Sequence, residues 1–194
     1  MTPAGLILAA GESSRMGRDK ALLPYAGTTF LEHLARLFLA HVSPVVVVLG
    51  HHAGQIRAAL PGLPNLHIIL NPNYHAGQLS SLQTGLGALP PDVPVLLTLV
   101  DHPTVAPSTL RAILDHAAAP LVIPRYQNRR GHPILLGRPL IDEILALPVT
   151  GTAKQVVHAH HPEAVFLDLD DPGLVRDIDT PADYLDLLPS APQK

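Results

Sequence analysis

Gly5-Leu-Ile-Leu-Ala-Ala-Gly-Glu-Ser-Ser-Arg-Met-Gly-Arg-Asp-Lys-Ala-Leu-Leu-Pro-Tyr25 changes character at Gly11. Residues 5–8 read as a buried first strand. From Ala9 to Gly17 the residues are small or polar, so a ligand can approach the backbone, and successive N–H groups of such a turn form an anion-binding concavity. Arg15 then offers a planar fork and Lys20 a compact point charge, two complementary donors for the oxygens of a polyphosphate. The stretch reads as a strand running into a triphosphate cradle.

Two other phosphate loops are excluded by spacing. A Walker A loop requires Gly, four residues and Gly-Lys-Ser/Thr, but the fifth residue after Gly11 is Met16, and Gly17 is followed by Arg18. The dinucleotide fingerprint has its nearest approach at Gly85-Leu-Gly87-Ala-Leu-Pro90, which lacks the third glycine and a preceding strand.

The 194 residues suit one domain, 1–194, with length enough for a single core. A net charge of −3 with only 13 Lys and Arg gives no basic surplus for nucleic acid or an anionic membrane. No apolar run approaches the roughly 20 residues of a membrane span, and the N-terminus lacks a leader pattern, so a cytoplasmic protein is expected. Without cysteine the chain has no disulfides, thiolate metal sites or cysteine nucleophiles. The 21 prolines punctuate periodic segments and are not pooled in a linker.

Strand and helix patterns alternate along the chain. Thr29 to Glu32 reads as a capping box opening a helix with Phe30, Leu31, Leu34, Leu37 and Phe38 on one face. Val45–Leu49 suits a central parallel strand buried on both faces, Ala53–Leu60 a helix and Leu66–Leu70 a strand. A polar loop from Asn71 enters a helix with Ser80 and Ser81 near its start. Val95–Val100 is the clearest interior strand, and it ends at Asp101-His-Pro103, a carboxylate at the carboxyl end of a strand, where open α/β sheets bind ligands. Pro107–Ala119 suits a helix, Leu121–Pro124 a strand and Tyr126–Arg130 a polar loop. Helices follow over Pro139–Leu147 and Gly151–His160, and a strand over Ala164–Leu169. Thr180 is placed as an N-cap, with Pro181 at the first helical position and Asp183 in the first turn. The alternation predicts a three-layer αβα sandwich.

Leu8-Ala-Ala-Gly-Glu-Ser-Ser-Arg-Met-Gly-Arg-Asp-Lys20, with Leu22-Leu-Pro24 after it, resembles the signature of the MobA-like NTP transferase superfamily, and within it the molybdenum cofactor cytidylyltransferase branch. The likeness covers nearly the whole chain. Asn71, Gly77, Ser80 and Ser81 resemble the nucleotide-contacting segment, Asp101-His-Pro103 the Asp-x-Pro metal motif, Gly131-His-Pro133 the Gly-x-Pro element before an antiparallel strand, and Asp177-Ile-Asp179-Thr-Pro181 the closing motif. The resemblance implies a Rossmann-like, mostly parallel sheet of the nucleotide-diphospho-sugar transferase type. It also implies transfer of CMP from CTP to a phosphorylated acceptor, the molybdopterin form of the molybdenum cofactor, with release of pyrophosphate. Leu8, Ala9, Ala10, Gly11, Arg15, Lys20, Asn71, Ser80 and Ser81 would bind the nucleotide. Arg15, Lys20 and Asp101 would be catalytic, and Asp101 and Asp179 would hold Mg²⁺, with Asp177 as the alternative to Asp179. A molybdoenzyme or its chaperone is the implied protein partner. GTP-using relatives commonly carry Leu-Ala-Gly-Gly where this chain has Leu8-Ala-Ala-Gly11, and His102 replaces a glutamine frequent in the cytidylyltransferase branch.

The chemistry asks for charge neutralisation, because an anionic phosphate must attack a phosphorus already surrounded by negative charge. A hard divalent cation held by carboxylates supplies it. The attacking phosphate monoester has a second pKa of about 6, so no general base is needed. Two other readings stand beside this one: a nucleotidylyltransferase for a sugar phosphate or another small phosphate, and a nucleotide-binding chaperone without turnover. A lone aspartate after a strand also serves as a turn residue or cap. The twelve histidines read as solvated surface residues, since adjacent histidines such as His51 and His52 rarely converge on one metal and no H-E-x-x-H pattern occurs.

Overall fold

A computed structural model describes residues 2–188. The strands are β1 Ala4–Ala9, β2 Pro24–Tyr25, β3 Thr28–Thr29, β4 Val45–Leu49, β5 Leu66–Leu70, β6 Val95–Leu99, β7 Leu121–Tyr126, β8 Arg129–Arg130, β9 Ile134–Leu136 and β10 Val165–Asp168. The helices are α1 Phe30–Leu39, α2 Ala53–Ala59, α3 Gln78–Gly87, α4 Pro107–Leu114, α5 Arg138–Ala146, α6 Ala153–Ala159 and α7 Pro181–Leu185. The main sheet runs β10-β7-β9-β6-β1-β4-β5, and β8 pairs with β7. β1 lies between β4 and β6, parallel to both, whereas β9 runs antiparallel to β6 and β7.

The central strands are apolar on both faces because helices cover both. Every residue of β1 and β4 is buried. Side chains alternate along β1, so Leu6 and Leu8 join the core beneath α3, α5 and α6, while Ile7 and Ala9 join the core beneath α1, α2 and α4. This is the expected three-layer, mostly parallel arrangement. Burying a leucine-sized side chain contributes about 1.5–3 kcal/mol, so these two cores dominate the favourable side of folding.

The local signals were realised with some changes. Thr29 caps α1 by accepting from Glu32 N at 3.2 Å, but Glu32 turns to Arg36, so only half of the capping box forms. The helix expected to reach Ala119 stops at Leu114. Its unassisted start is served from a distance, as Asp171 accepts from Ala106 N at 2.9 Å and from Thr109 Oγ1 at 2.6 Å. The expected loop over Tyr126–Arg130 is instead a hairpin. Gln127 and Asn128, at φ 48° and 63°, supply the two left-handed residues that a two-residue turn between twisted strands requires.

Candidate active site

The carboxyl ends of β1 and β6 open onto a cavity of about 460 Å³, lined by Leu8, Ala9, Ala10, Gly11, Arg15, Lys20, Ser81 and Asp101 among others. Its rim is the loop after β1. Ser13 and Gly17 adopt positive φ, and Ser13 accepts from Met16 N and Gly17 N through its carbonyl and from Lys20 N through Oγ. Glu12, Ser13, Ser14 and Arg15 donate no N–H to another backbone group among the described residues, which leaves these donors for a bound anion.

Lys20 leads the one-turn 3₁₀ helix Lys20–Leu22 and is buried. Its ammonium lies between two carboxylates, 3.3 Å from Asp101 Oδ2 and in direct contact with Asp179 Oδ1. Arg15 reaches the other oxygen of Asp179 at 2.9 Å from an otherwise exposed position. The Lys20 hydrogen bond, helped by the charges of Lys20 and Arg15, holds the Asp179 carboxyl below the ordinary aspartate range.

The convergence of residues so distant in sequence has a local cause. Ile178, fully buried, packs with Met16, Leu23 and Phe30, and its N–H donates to the Asp101 carbonyl at 3.0 Å. One apolar residue therefore ties the closing turn both to the loop after β1 and to the end of β6. Alternation turns its neighbours away from that small core: Asp179 meets Lys20, and Asp177 meets His102 Nε2 at 3.3 Å. Asp183 then fixes the turn, accepting from Asp179 N at 3.0 Å and Thr180 N at 2.7 Å.

The nucleotide-contact candidates divide. Ser81 lines the cavity with Leu8 to Gly11, whereas Asn71 and Ser80 do not. Asn71, only 2% exposed, donates through Nδ2 to Ser80 Oγ at 2.7 Å and Ser81 Oγ at 3.0 Å, so it positions the serines from behind. Gly77, at φ 102°, lets the chain turn into α3 beside the cavity.

Two histidines depart from the surface reading. His102 is 4% exposed, and its ring lies 5.1 Å from that of His132. The Nδ1 atoms of both are buried without a partner. Burial, followed by the neighbouring His102, lowers the His132 pKa to about 4. A signal was present in the chain: the same His-Pro pair follows Asp101 and Gly131. His51 and His52 also depart from expectation, because they do converge, together with Asp19.

Asp101 Oδ1 is buried and unpartnered, 3.7 Å from His102 Nε2 and beyond hydrogen-bond reach. A free carboxylate oxygen beside a second carboxylate is a donor set of hard oxygens and fits a hard divalent cation.

A second cavity of about 750 Å³ adjoins the first and shares Leu8, Gly77, Gln78 and Leu99 with it. Leucine and isoleucine side chains form much of its lining, and Arg130, Lys154, His158 and His161 lie around it. No described helix is long and apolar enough to cross a membrane.

Known proteins resemble this chain over most of its length. The molybdenum cofactor cytidylyltransferase of Escherichia coli (strain K12) is 29% identical over 181 residues, covering 93% of this chain and 92% of that protein. The nicotine blue oxidoreductase of Paenarthrobacter nicotinovorans is 31% identical over 187 residues, covering 91% of each. The crystal structure of Rv0371c from Mycobacterium tuberculosis H37Rv superposes with a TM-score of 0.86 at 32% identity, covering 97% of both chains, and a manganese complex of that protein superposes with a TM-score of 0.82. Residues 5–165 match the MobA-like NTP transferase domain, and the chain belongs to that family of nucleotidyltransferases.

Proposed function

We propose that this protein, working as a single domain, transfers CMP from CTP to a phosphorylated acceptor, the molybdopterin form of the molybdenum cofactor. The observation that carries the reading is the buried Lys20 ammonium held between Asp101 and Asp179 at the end of an anion-binding loop. Likeness to the Escherichia coli cytidylyltransferase over nearly the full length of both chains supports the choice of nucleotide and acceptor.

In this reading the triphosphate lies along residues 9–17, with the free N–H groups, Arg15 and Lys20 around its oxygens. The acceptor phosphate, largely ionised at neutral pH, forms a bond to the α-phosphorus as the bond to the bridging oxygen breaks, and that electron pair leaves with pyrophosphate. Asp101 and Asp179 would hold Mg²⁺, or a related divalent cation, which when bound neutralises phosphate charge. Lys20 keeps the carboxylate pair compensated before substrates arrive and adds positive charge to the reacting phosphates. Arg15, largely exposed beside Asp179, stabilises the departing pyrophosphate. The adjoining 750 Å³ cavity suits the acceptor: its lining is largely apolar for a heterocyclic body, and its cationic neighbours suit an attached phosphate. A molybdoenzyme or its chaperone would receive the product.

Pyrophosphate release tests the proposal. CTP, Mg²⁺ and the molybdopterin acceptor should give stoichiometric pyrophosphate and a cytidylylated product. Turnover with a sugar phosphate instead would replace the acceptor, and tight CTP binding without turnover over an acceptor panel would favour a binding protein. Because one relative is named an oxidoreductase, consumption of reduced nicotinamide nucleotide belongs in the same assay and should stay at background.

A further inference from the structure

β4 ends at Leu49, and the chain passes through Gly50-His51-His52 into α2. A Cβ on Gly50 would lie 2.6 Å from Tyr74 Cβ and 2.7 Å from the Ala10 carbonyl oxygen, so only glycine lets the backbone run this close to both. His52 then adopts a left-handed conformation, φ 48° and ψ 28°. In extended backbone, consecutive side chains point to opposite sides. The left-handed residue reverses the chain at once, and the two imidazoles stack with centroids 3.7 Å apart. That is the reason adjacent histidines converge here, and left-handed backbone at a non-glycine residue is strained unless the surroundings hold it.

Asp19, from the end of the phosphate loop, completes the group. One ligand atom from each of Asp19, His51 and His52 lies within 4.8 Å of the others. His52 Nδ1 and Asp19 Oδ2 are already 3.0 Å apart, close to the roughly 3.3 Å between neighbouring ligands around a tetrahedral metal. His51 Nδ1 is 3.3 Å from the Tyr74 hydroxyl, the kind of oxygen partner that orients a metal-bound imidazole while its other nitrogen binds. Asp19 is largely buried and lines the nucleotide cavity, whereas the His52 side chain is 54% exposed, so a bound ion keeps positions open to solvent and to the cavity.

We infer that Asp19, His51 and His52 form a binding site for a divalent first-row transition metal at the mouth of the nucleotide cavity. Two imidazoles and one carboxylate favour Zn²⁺, Co²⁺ or Ni²⁺ over Mg²⁺. The site is separate from Asp101 and Asp179, whose donors are all oxygen.

Titration of the full chain with Co²⁺, followed by visible d–d absorption and by competition with Zn²⁺, tests the inference. One histidine-dependent equivalent should bind, with visible absorption, and be displaced by Zn²⁺. His51→Phe keeps the ring packing without nitrogen donors, and His52→Gly suits the left-handed backbone; each should weaken Co²⁺ at least tenfold. Asp101→Asn/Asp179→Asn should retain the equivalent, which separates this site from the carboxylate pair and from the proposed transferase activity. Absence of the Co²⁺ signal, a signal indifferent to both histidine variants, or one lost in the double aspartate variant would overturn it.

Discussion

Lys20 Nζ lies 3.3 Å from Asp101 Oδ2, joining the end of the loop after β1 to the end of β6 across 81 positions of sequence. Asp101 thus has one oxygen on Lys20 and a second, buried, with no partner. Asp101→Asn removes the charge from both. Because the residue sits past the strand end and outside the core, the variant should fold normally and lose turnover by orders of magnitude. Asp179→Asn should do the same, while Asp177→Asn, at a largely exposed carboxylate that meets His102, should change turnover little. Steady-state pyrophosphate release, with circular dichroism as the fold control, checks all three; near-normal turnover in Asp101→Asn removes it from the machinery.

The two cations of the loop should differ in kind. Arg15→Ala removes an exposed side chain and should lower kcat/KM for the triphosphate about tenfold or more, with stability unchanged. Lys20→Ala should lower it at least as much, and it also leaves Asp101 and Asp179 facing each other without the buried ammonium. Denaturant unfolding should therefore show a loss for Lys20→Ala and none for Arg15→Ala. Unchanged triphosphate kinetics in both variants would remove the nucleotide from this loop.

How much of this was legible in the chain follows from which signals are local. The first loop announced itself, because small residues, Arg15 and Lys20 occur within one turn-forming stretch after a strand. The strand-end position of Asp101 and the Thr180 cap with Pro181 were equally local. The pairing of Asp101 with Asp179 was legible only as an implication of resemblance, since what joins them is Ile178, an apolar residue whose burial depends on the packed fold. The histidines show the limit most clearly. His102 and His132 meet across β6 and the start of β9, and His51 and His52 share a side only because His52 takes a left-handed conformation, neither of which residue type reveals.

His132 should give the folded protein a pH dependence of known sign. Its pKa falls from 6.5 to about 4 on folding, mainly through burial, so between these values the unfolded chain binds the proton and the folded one does not. Stability is then present in full above pH 6.5 and is lost as pH falls toward 4, by about 3 kcal/mol at most. His132→Gln should flatten the slope of unfolding free energy in that window relative to wild type. Parallel slopes for the two proteins by urea titration between pH 4 and 7 would show that His132 does not titrate on unfolding.

Asn71 offers a test of positioning from behind the cavity. Removing its amide in Asn71→Ala takes away the donor shared by Ser80 and Ser81 and the oxygen that accepts from Asn73 N at 2.9 Å. The expected cost is about 1–3 kcal/mol of stability, with a higher KM for the triphosphate because Ser81 lines the cavity. Ser80→Ala, whose side chain is outside the lining, should leave KM nearly unchanged.

Ala10 is the position from which base preference can be argued. It is 5% exposed and lines the 460 Å³ cavity, and its carbonyl accepts from His51 N at 3.2 Å, so its backbone is held and its methyl cannot swing aside. If the base passes here, that methyl narrows the space by one carbon, enough to favour a one-ring pyrimidine over a purine by about 1–3 kcal/mol. Wild type should therefore prefer CTP to GTP. Ala10→Gly should relax the preference without abolishing activity, and without reversing it, because a purine also needs hydrogen-bond partners of its own. Values of kcat/KM for CTP, GTP, UTP and ATP, measured side by side for both proteins, decide the matter; a wild-type preference for GTP would overturn both the role of the Ala10 methyl and the choice of CTP as donor.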